Sequence, residues 1–110
     1  YNKIKNRNIA GEVFEQAVNL PTVKFKSRNV LKANIHLQKA YIYAADREIA
    51  VDGIVGNQTI SAINNCKNQK LLYNFLNGLQ ARHYLDVVES NFKLKDFIRG
   101  WFNKRIKLKE

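Results

Sequence analysis

The sequence predicts an all-α protein of about five helices, with one short hairpin-like loop at Asp52-Gly53. Apolar residues recur at helical spacing in about five separate segments, and 45% of the 110 residues are apolar. Only one proline and five glycines are present, so few residues interrupt these segments. A chain of this length and composition is expected to form one core.

The first predicted helix covers Asn8–Leu20. Its apolar stripe consists of Ile9, Val13, Phe14, Ala17 and Val18. Asn8 is a candidate N-cap, and Pro21 favours an end of the helix at Leu20. Thr22–Arg28 alternate apolar and basic side chains only briefly, so we interpret this segment as a loop.

The second predicted helix covers Asn29–Arg47, where an i, i+4 apolar pattern continues without glycine or proline. In the next segment, Glu48–Gly56, Asp-Gly lies between apolar pairs, which is a hairpin signal. The two arms are too short for a stable sheet, so the segment is expected to close a loop between helices. Asp52 is expected to accept hydrogen bonds from backbone amides of this turn.

Three further helices are predicted after the loop. Asn57–Cys66 is a short helix, with Asn57 or Thr59 as its cap. Asn68–Ser90 is a longer helix with a continuous apolar stripe. Leu94–Lys109 places aromatic and aliphatic residues on one face and basic residues around the rest, which predicts the fifth helix.

The formal net charge is +10, from 19 Lys and Arg against 9 Asp and Glu. Such a surface attracts polyanions such as nucleic acid, anionic lipid or the anionic polymers of a bacterial envelope, although the same residues can simply be solvated. Cys66 is the only cysteine, which excludes an internal disulfide. His36, His83 and Cys66 lie too far apart for a metal-ligand motif, so we expect neither metal nor cofactor. No signal peptide is visible, and no apolar run approaches the roughly 18 residues that span a bilayer.

Two kinds of functional chemistry remain open from the residues alone. Glu12 and Glu15, or Asp86 and Glu89, are three positions apart on a helix edge, where paired carboxylates could act on a glycoside or simply face water. The segment Arg99–Lys109 mixes aromatic and basic side chains, which suits nucleic acid, an anionic membrane or ordinary core packing. A basic helical domain that binds nucleic acid or docks on a partner is therefore the alternative function.

Several segments, taken in order, resemble cell-wall hydrolases of bacteria and phages. "EVFEQAVNL" (Glu12–Leu20) is similar to the "lFDxAVN" segment of phage-type N-acetylmuramidases of glycoside hydrolase family 108. "LQKA" (Leu37–Ala40) followed by "VDGIVGNQTISAI" (Val51–Ile63) resembles the predicted peptidoglycan-binding module of such hydrolases, with its pattern of L-Q, a spacer and D-G-x-x-G-x-x-T. "ARHYL" (Ala81–Leu85) and "FIRGWFNKRI" (Phe97–Ile106) resemble the closing helix of the muramidases and its G-W-x-N-R-V motif.

The resemblance implies a lysozyme-like, all-helical enzyme that cuts the glycan of peptidoglycan, in a group that includes secretion activators and endolysins working with a holin. Residues 1–28 would then end the catalytic region, and residues 29–110 would form the peptidoglycan-binding module. The family's catalytic glutamate lies in an E-G-G-Y-type motif, and this sequence contains no E-G-G. We therefore expect the C-terminal part of a muramidase, which binds peptidoglycan but is inactive alone. The expected location is the cytoplasm, with export to the periplasm or cell wall.

The resemblance also implies roles for individual residues. Glu15 and Asn19 match the aspartate and asparagine of "lFDxAVN" and are expected to line the substrate cleft without supplying the catalytic acid. Sugar contacts are expected from aromatic and amide side chains near the turn, namely Tyr41, Tyr43, Asn57 and Gln58. The turn itself is expected to depend on Asp52, Gly53, Gly56 and Thr59. Peptidoglycan is the expected partner, and nucleic acid is the less favoured one.

Overall fold

A computed structural model describes residues 1–91, 95–96 and 99–100 of the chain. In chain order, its elements are α1 (Arg7–Asn19), β1 (Thr22–Phe25), β2 (Arg28–Leu31), α2 (Lys32–Ala45), α3 (Asn57–Asn65) and α4 (Gln69–Ser90). The predicted all-α class is confirmed, with four helices in the described part instead of about five. The fifth predicted helix, Leu94–Lys109, lies outside the described residues except at four positions.

Helix α1 starts one residue earlier than predicted, because Asn6 caps it instead of Asn8. The Oδ1 atom of Asn6 accepts hydrogen bonds from the amides of Asn8 at 2.9 Å and Ile9 at 3.2 Å. These are two of the amides at a helix start that have no partner within the helix. The C-cap is Leu20, and Pro21 follows it, as the sequence predicts.

The prediction of a loop over Thr22–Arg28 is wrong, because this segment belongs to a β-hairpin. Strands β1 and β2 pair in antiparallel fashion, with Phe25 opposite Arg28 next to the turn. Lys26 and Ser27 form the turn with φ angles of 51° and 65°. Positive φ at both central positions is the requirement of a type I′ turn. Neither residue is glycine or asparagine, so the usual sequence signal for this turn is missing.

Helix α2 starts three residues later than predicted, because Asn29–Leu31 belong to β2. The amide of Lys32 donates to the carbonyl of Pro21 at 3.2 Å, which ties the start of α2 to the end of α1. The helix ends at Ala45, and Asp46 adopts a left-handed C-cap conformation with φ of 53°. A left-handed residue at this position is a common way to end a helix.

The Asp52-Gly53 segment is not a hairpin, since no strand forms on either side of it. A buried side chain of α2, Gln38, holds it instead. Its Nε2 atom donates to Asp52 Oδ1 at 2.9 Å, to the Ile54 carbonyl at 3.1 Å and to Thr59 Oγ1 at 3.2 Å. Its Oε1 atom accepts from the amides of Asp52 at 3.1 Å and Gly53 at 2.9 Å. The leucine-glutamine and aspartate-glycine parts of the sequence pattern therefore meet in one hydrogen-bonded unit.

Gly53 in this loop and Gly56 after it have different roles. Gly53 has a φ of 76°, and a Cβ atom there would lie 2.5 Å from the Cβ of Val30 in β2. Gly56 is the N-cap of α3, so the predicted caps, Asn57 and Thr59, are wrong. The expected hydrogen bond from the turn to Asp52 is present, since the Ile54 amide donates to its carboxylate at 2.9 Å.

One core joins the helices. Helix α2 packs against α1 and α4, and α1 also packs against α4. The most deeply buried apolar side chains of this core include Ile9, Val13, Leu37, Ile63, Leu72 and Leu76. Within the described part of the chain, no helix has both the length and the apolar character needed to cross a membrane.

Candidate functional site

A groove follows the seam between α2 and α4, which we call the α2–α4 groove. Its first half, the aromatic section, is a cavity of about 610 Å³. The lining residues are Ile42, Tyr43, Asp46, Asn74, Phe75, Gly78, Leu79 and Arg82. The end of α2 lines this cavity with residues 74–82 of α4, and the start of α2 lines the adjoining cavity with residues 79–86, so the two helices run antiparallel. The volume lies within the range of about 300–1,000 Å³ that small-molecule sites occupy.

Tyr43 and Phe75 form the aromatic surface of this section. Their ring centroids are 5.4 Å apart, with an interplanar angle of 52°. Tyr43 is 49% exposed, although it contacts another ring. An exposed ring braced by a second ring offers a flat apolar surface with a polar tip. The C–H-rich face of a sugar can stack on such a surface.

The second half of the groove, the basic section, is a cavity of about 300 Å³. Its polar lining residues are Lys32, His36, Lys39, Arg82, His83 and Asp86. Its apolar lining residues are Val23, Phe25, Ile35 and Leu79. Leu79 and Arg82 line both halves, so the two sections are continuous. The hairpin forms one wall of the basic section through β1.

The basic section has a positive potential that acts on both of its histidines. Burial first, and the neighbouring Lys32 second, lower the pKa of His36 to about 3. The same two causes lower the pKa of His83, while Asp86 opposes that shift. Both rings are therefore mainly neutral at pH 7. The other charged side chains that the structure describes in this lining are three cations and one carboxylate.

His36 is fixed by a buried chain of hydrogen bonds that extends into α1. Its Nδ1 atom lies 2.9 Å from Oε1 of Gln16. Because the Gln16 amide oxygen only accepts, the ring must carry its proton on Nδ1. The Nε2 atom of Gln16 donates to Glu12 Oε2 at 3.0 Å and to the Leu76 carbonyl at 3.1 Å. Gln16 thus holds the imidazole at the floor of the basic section by linking three helices.

The four residues predicted to contact sugar lie in three different places. Tyr43 lies in the aromatic section of the groove. Tyr41, two residues earlier, is only 7% exposed and lines a separate cavity beside Cys66. Asn57 and Gln58 are exposed and line a cavity of about 660 Å³ beside the Asp52-Gly53 loop. The sugar-contact roles of all four residues stay predictions.

The two predicted cleft residues lie on α1, away from the groove lining. Glu15 is half-buried and Asn19 is exposed. The lining of the α2–α4 groove comes from β1, α2, α4 and Asp46. A role for Glu15 and Asn19 in a substrate cleft therefore stays a prediction. Among the described residues, no group of three or more His, Cys, Asp or Glu side chains is arranged to hold a metal ion.

Of the groove residues, the sequence predicted a binding role only for Tyr43. Those without a predicted binding role include Lys32, Lys39, Phe75, Arg82 and His83. The sequence does contain a signal for the groove residues of α2. Lys32, His36, Lys39 and Tyr43 follow i, i+4, i+7, i+11 spacing, which places them on one face of this helix. Their partners on α4 become apparent only once the two helices are packed together.

A small helical domain with an open groove, aromatic at one end and cationic at the other, has the form of a ligand-binding module. Comparison with protein families identifies the class of module. Residues 32–106 match the family described as the predicted peptidoglycan domain. This match covers more than half of the chain, which therefore belongs to that family as a peptidoglycan-binding module. Neither the comparison with curated proteins nor that with solved structures gave a significant match.

Proposed function

We propose that the chain binds peptidoglycan through the α2–α4 groove and serves as the wall-binding part of a hydrolase that cuts the glycan. The observation that carries the proposal is the continuity of the aromatic and basic sections along two helices of the family's own segment. Residues 32–106 include both helices that line the groove. Peptidoglycan combines sugars with carboxylate-bearing peptides, so a groove with both kinds of surface suits this polymer.

The aromatic section is the proposed glycan contact. Tyr43 and Phe75 supply the stacking surface, and Asn74 and Asp46 lie in the same lining as hydrogen-bonding groups for sugar hydroxyl and acetamido groups. Sugars are uncharged along most of their surface, so ring stacking and directed hydrogen bonds suit them better than charge does. Long-range attraction by the net charge of +10 would raise the rate of encounter with an anionic wall.

The muramidase part of the proposal rests on sequence resemblance. Glu12–Leu20 resembles the "lFDxAVN" segment of glycoside hydrolase family 108, and Ala81–Leu85 resembles part of its closing helix. Under this proposal, Glu15 and Asn19 belong to the edge of a catalytic cleft, and a holin assists export to the wall. A lysozyme-like arrangement of the helices is part of the same proposal.

The experiment that tests binding is co-sedimentation with purified sacculi, using Tyr43→Ala against Phe14→Ala as a matched control. Phe14 is 61% exposed on α1, away from the groove, so its truncation removes a similar aromatic surface. We expect Tyr43→Ala to weaken binding about tenfold, equivalent to roughly 1.4 kcal/mol, and Phe14→Ala to leave it unchanged. Equal binding by both variants and the unaltered chain would contradict binding through the α2–α4 groove.

A second arm tests the relation to a hydrolase. Because the sequence has no E-G-G motif, the chain is expected to sediment with sacculi without reducing the turbidity of a cell-wall suspension. Rapid lysis by this chain alone would contradict that expectation. Duplex DNA added as a competitor tests the nucleic-acid alternative, since displacement from sacculi at low salt would favour a general polyanion surface.

A further inference from the structure

We propose that the basic section of the groove binds a carboxylate of the peptidoglycan stem peptide through Lys32, Lys39 and Arg82. The inference rests on the proposed function and gives its groove a second, chemically different ligand. It assigns the glycan to the aromatic section and the peptide to the basic section. The peptide's carboxylate and the phosphates of other wall polymers share anionic chemistry. Two features of the basic section indicate an anion, and a third favours the carboxylate.

The first feature is how the cations are presented. Lys32 and Lys39 are seven residues apart on α2 and therefore lie on one face of the helix. Both side chains are half-buried along the cleft, and the exposed Arg82 lines the same cleft from α4. Ammonium and guanidinium groups that line one cleft from two helices can hold a carboxylate between them.

The second feature is the excess of positive charge in the lining of the basic section. Among the described residues of this lining, Asp86 is the only acidic one, against the three cations. The cationic neighbours already disfavour proton uptake by His36 and His83. A bound carboxylate would offset this potential, and the half-buried setting of Lys32 and Lys39 would strengthen the interaction relative to open water.

The third feature is the apolar wall. Val23 and Phe25 of β1, with Ile35 and Leu79, flank the cations. Methyl and methylene groups of a stem peptide can pack against this wall, whereas a polyol phosphate offers little apolar surface. The volume of about 300 Å³ suits one end of a peptide better than a folded partner.

The order of the two sections matches the connectivity of the polymer. In peptidoglycan, the stem peptide leaves the glycan through the lactyl group of N-acetylmuramic acid. Leu79 and Arg82 line both sections, so a sugar stacked on Tyr43 and Phe75 would lie next to the cationic residues. The branch point of the polymer would then lie near Arg82.

A charge-matched pair of double variants tests the inference in the full chain. Lys32→Gln with Lys39→Gln removes two charges from the basic section. Lys3→Gln with Lys5→Gln removes two charges from exposed positions near the N-terminus. Binding is measured to sacculi freed of wall phosphates and to glycan strands from which an amidase has removed the stem peptides. The lactyl carboxylates that this cleavage frees on the strands are converted to neutral amides before the measurement.

We expect the Lys32/Lys39 variant to bind the peptide-bearing sacculi at least about tenfold more weakly than the Lys3/Lys5 variant. On peptide-free strands, the two variants and the unaltered chain should bind equally and weakly. Equal binding of both variants to the peptide-bearing sacculi would overturn the inference. Equally tight binding of the unaltered chain to both polymers would also overturn it while leaving the proposed function intact. Binding to neither polymer would instead contradict the proposed function.

The two histidines provide an independent readout by NMR, since the chain contains no others. Muramyl dipeptide and glycerol 3-phosphate serve as the carboxylate and phosphate probes. Saturating muramyl dipeptide should move the titration midpoint of His83 to higher pH, because a nearby anion favours the imidazolium. A shift with glycerol phosphate alone, or none with either probe, would overturn the assignment to the peptide.

Discussion

Gln38 and Asp52 bind each other through both side chains and backbone. Gln38 Nε2 donates to the Asp52 carboxylate at 2.9 Å, and the Asp52 amide donates to Gln38 Oε1 at 3.1 Å. Gln38 has no exposed surface. The leucine-glutamine and aspartate-glycine parts of the sequence pattern therefore encode a connection between a helix and a loop. This contact also fixes α2, which carries half of the proposed groove.

Replacing Gln38 with alanine should destabilise the fold strongly. The change leaves the amides of Asp52 and Gly53 without their acceptor, and each buried unpaired group costs about 1–3 kcal/mol. We expect the free energy of unfolding to fall by roughly 3 kcal/mol, measured by urea denaturation followed by circular dichroism. Gln58→Ala is the matched control, because Gln58 is exposed next to the same loop. An equal effect of both changes would contradict the structural role of Gln38.

Replacing Gly53 with alanine should also destabilise the protein, for a steric reason. The new Cβ would lie 2.5 Å from Val30 Cβ, and the φ of 76° is unfavourable for any L side chain. The expected loss is about 1–3 kcal/mol. The control is Gly11→Ala in the middle of α1, where a Cβ would meet nothing within 4 Å. That change should stabilise the helix by about 0.5–1 kcal/mol, so the two melting temperatures should move in opposite directions.

Stability should fall on acidification because of His36. Its pKa is about 3 in the folded chain against 6.5 for a free side chain. Between these values, the unfolded chain binds more protons than the folded one, so the free energy of unfolding decreases as the pH is lowered. Full stability is present above pH 6.5, and the steepest loss is about 1.4 kcal/mol per pH unit.

The measurement is denaturant unfolding at several pH values between 7 and about 5.5, where ordinary carboxylates remain largely ionised. His36→Asn retains an N–H donor for Gln16 but does not titrate, and it should flatten the pH dependence. His83→Asn, the control, should change it less, because His83 is only partly buried. A profile that His36→Asn leaves unaltered would contradict the assigned role of His36.

The sequence predicted the long helices well, because their apolar periodicity extends over several turns. The two turns were predicted less well, and for opposite reasons. Lys26 and Ser27 adopt the φ angles of a hairpin turn without its usual residues. Asp52-Gly53 has the usual residues, but Gln38, fourteen positions earlier, binds the loop and takes the place of strand pairing. Local signals are insufficient where a distant side chain determines the backbone.

The candidate site was predictable only in part. Tyr43 was selected as an aromatic residue near the turn, and the structure places it in the groove. Its ring partner, Phe75, lies thirty-two residues later on α4, where it formed part of an ordinary apolar stripe in the sequence. Lys39 looked like one solvated cation among many. Only the packing of α2 against α4 brings such residues into one surface, and no periodicity within a single helix encodes that packing.

The family match begins at residue 32, but the folded unit extends further towards the N-terminus. Ile9 and Val13 of α1 have no exposed surface and belong to the same core as Leu37 and Leu76. Burying each such side chain contributes about 1.5–3 kcal/mol. Gln16, also on α1, forms hydrogen bonds with His36 and with the Leu76 carbonyl. Loss of α1 would therefore remove an amount comparable to the whole stability of a small domain, about 5–15 kcal/mol.

We accordingly predict that a chain of residues 32–110 does not fold alone, whereas the full chain does. Far-ultraviolet circular dichroism and the dispersion of amide NMR signals are the measurements. The control is the same truncated chain mixed with a peptide of residues 1–31, which should restore both signals because it supplies α1 and the hairpin in trans. A dispersed spectrum of the truncated chain alone would instead support the predicted boundary after residue 28. The helix that carries Glu15 and Asn19 would then be an accessory to the peptidoglycan-binding module and not part of its core.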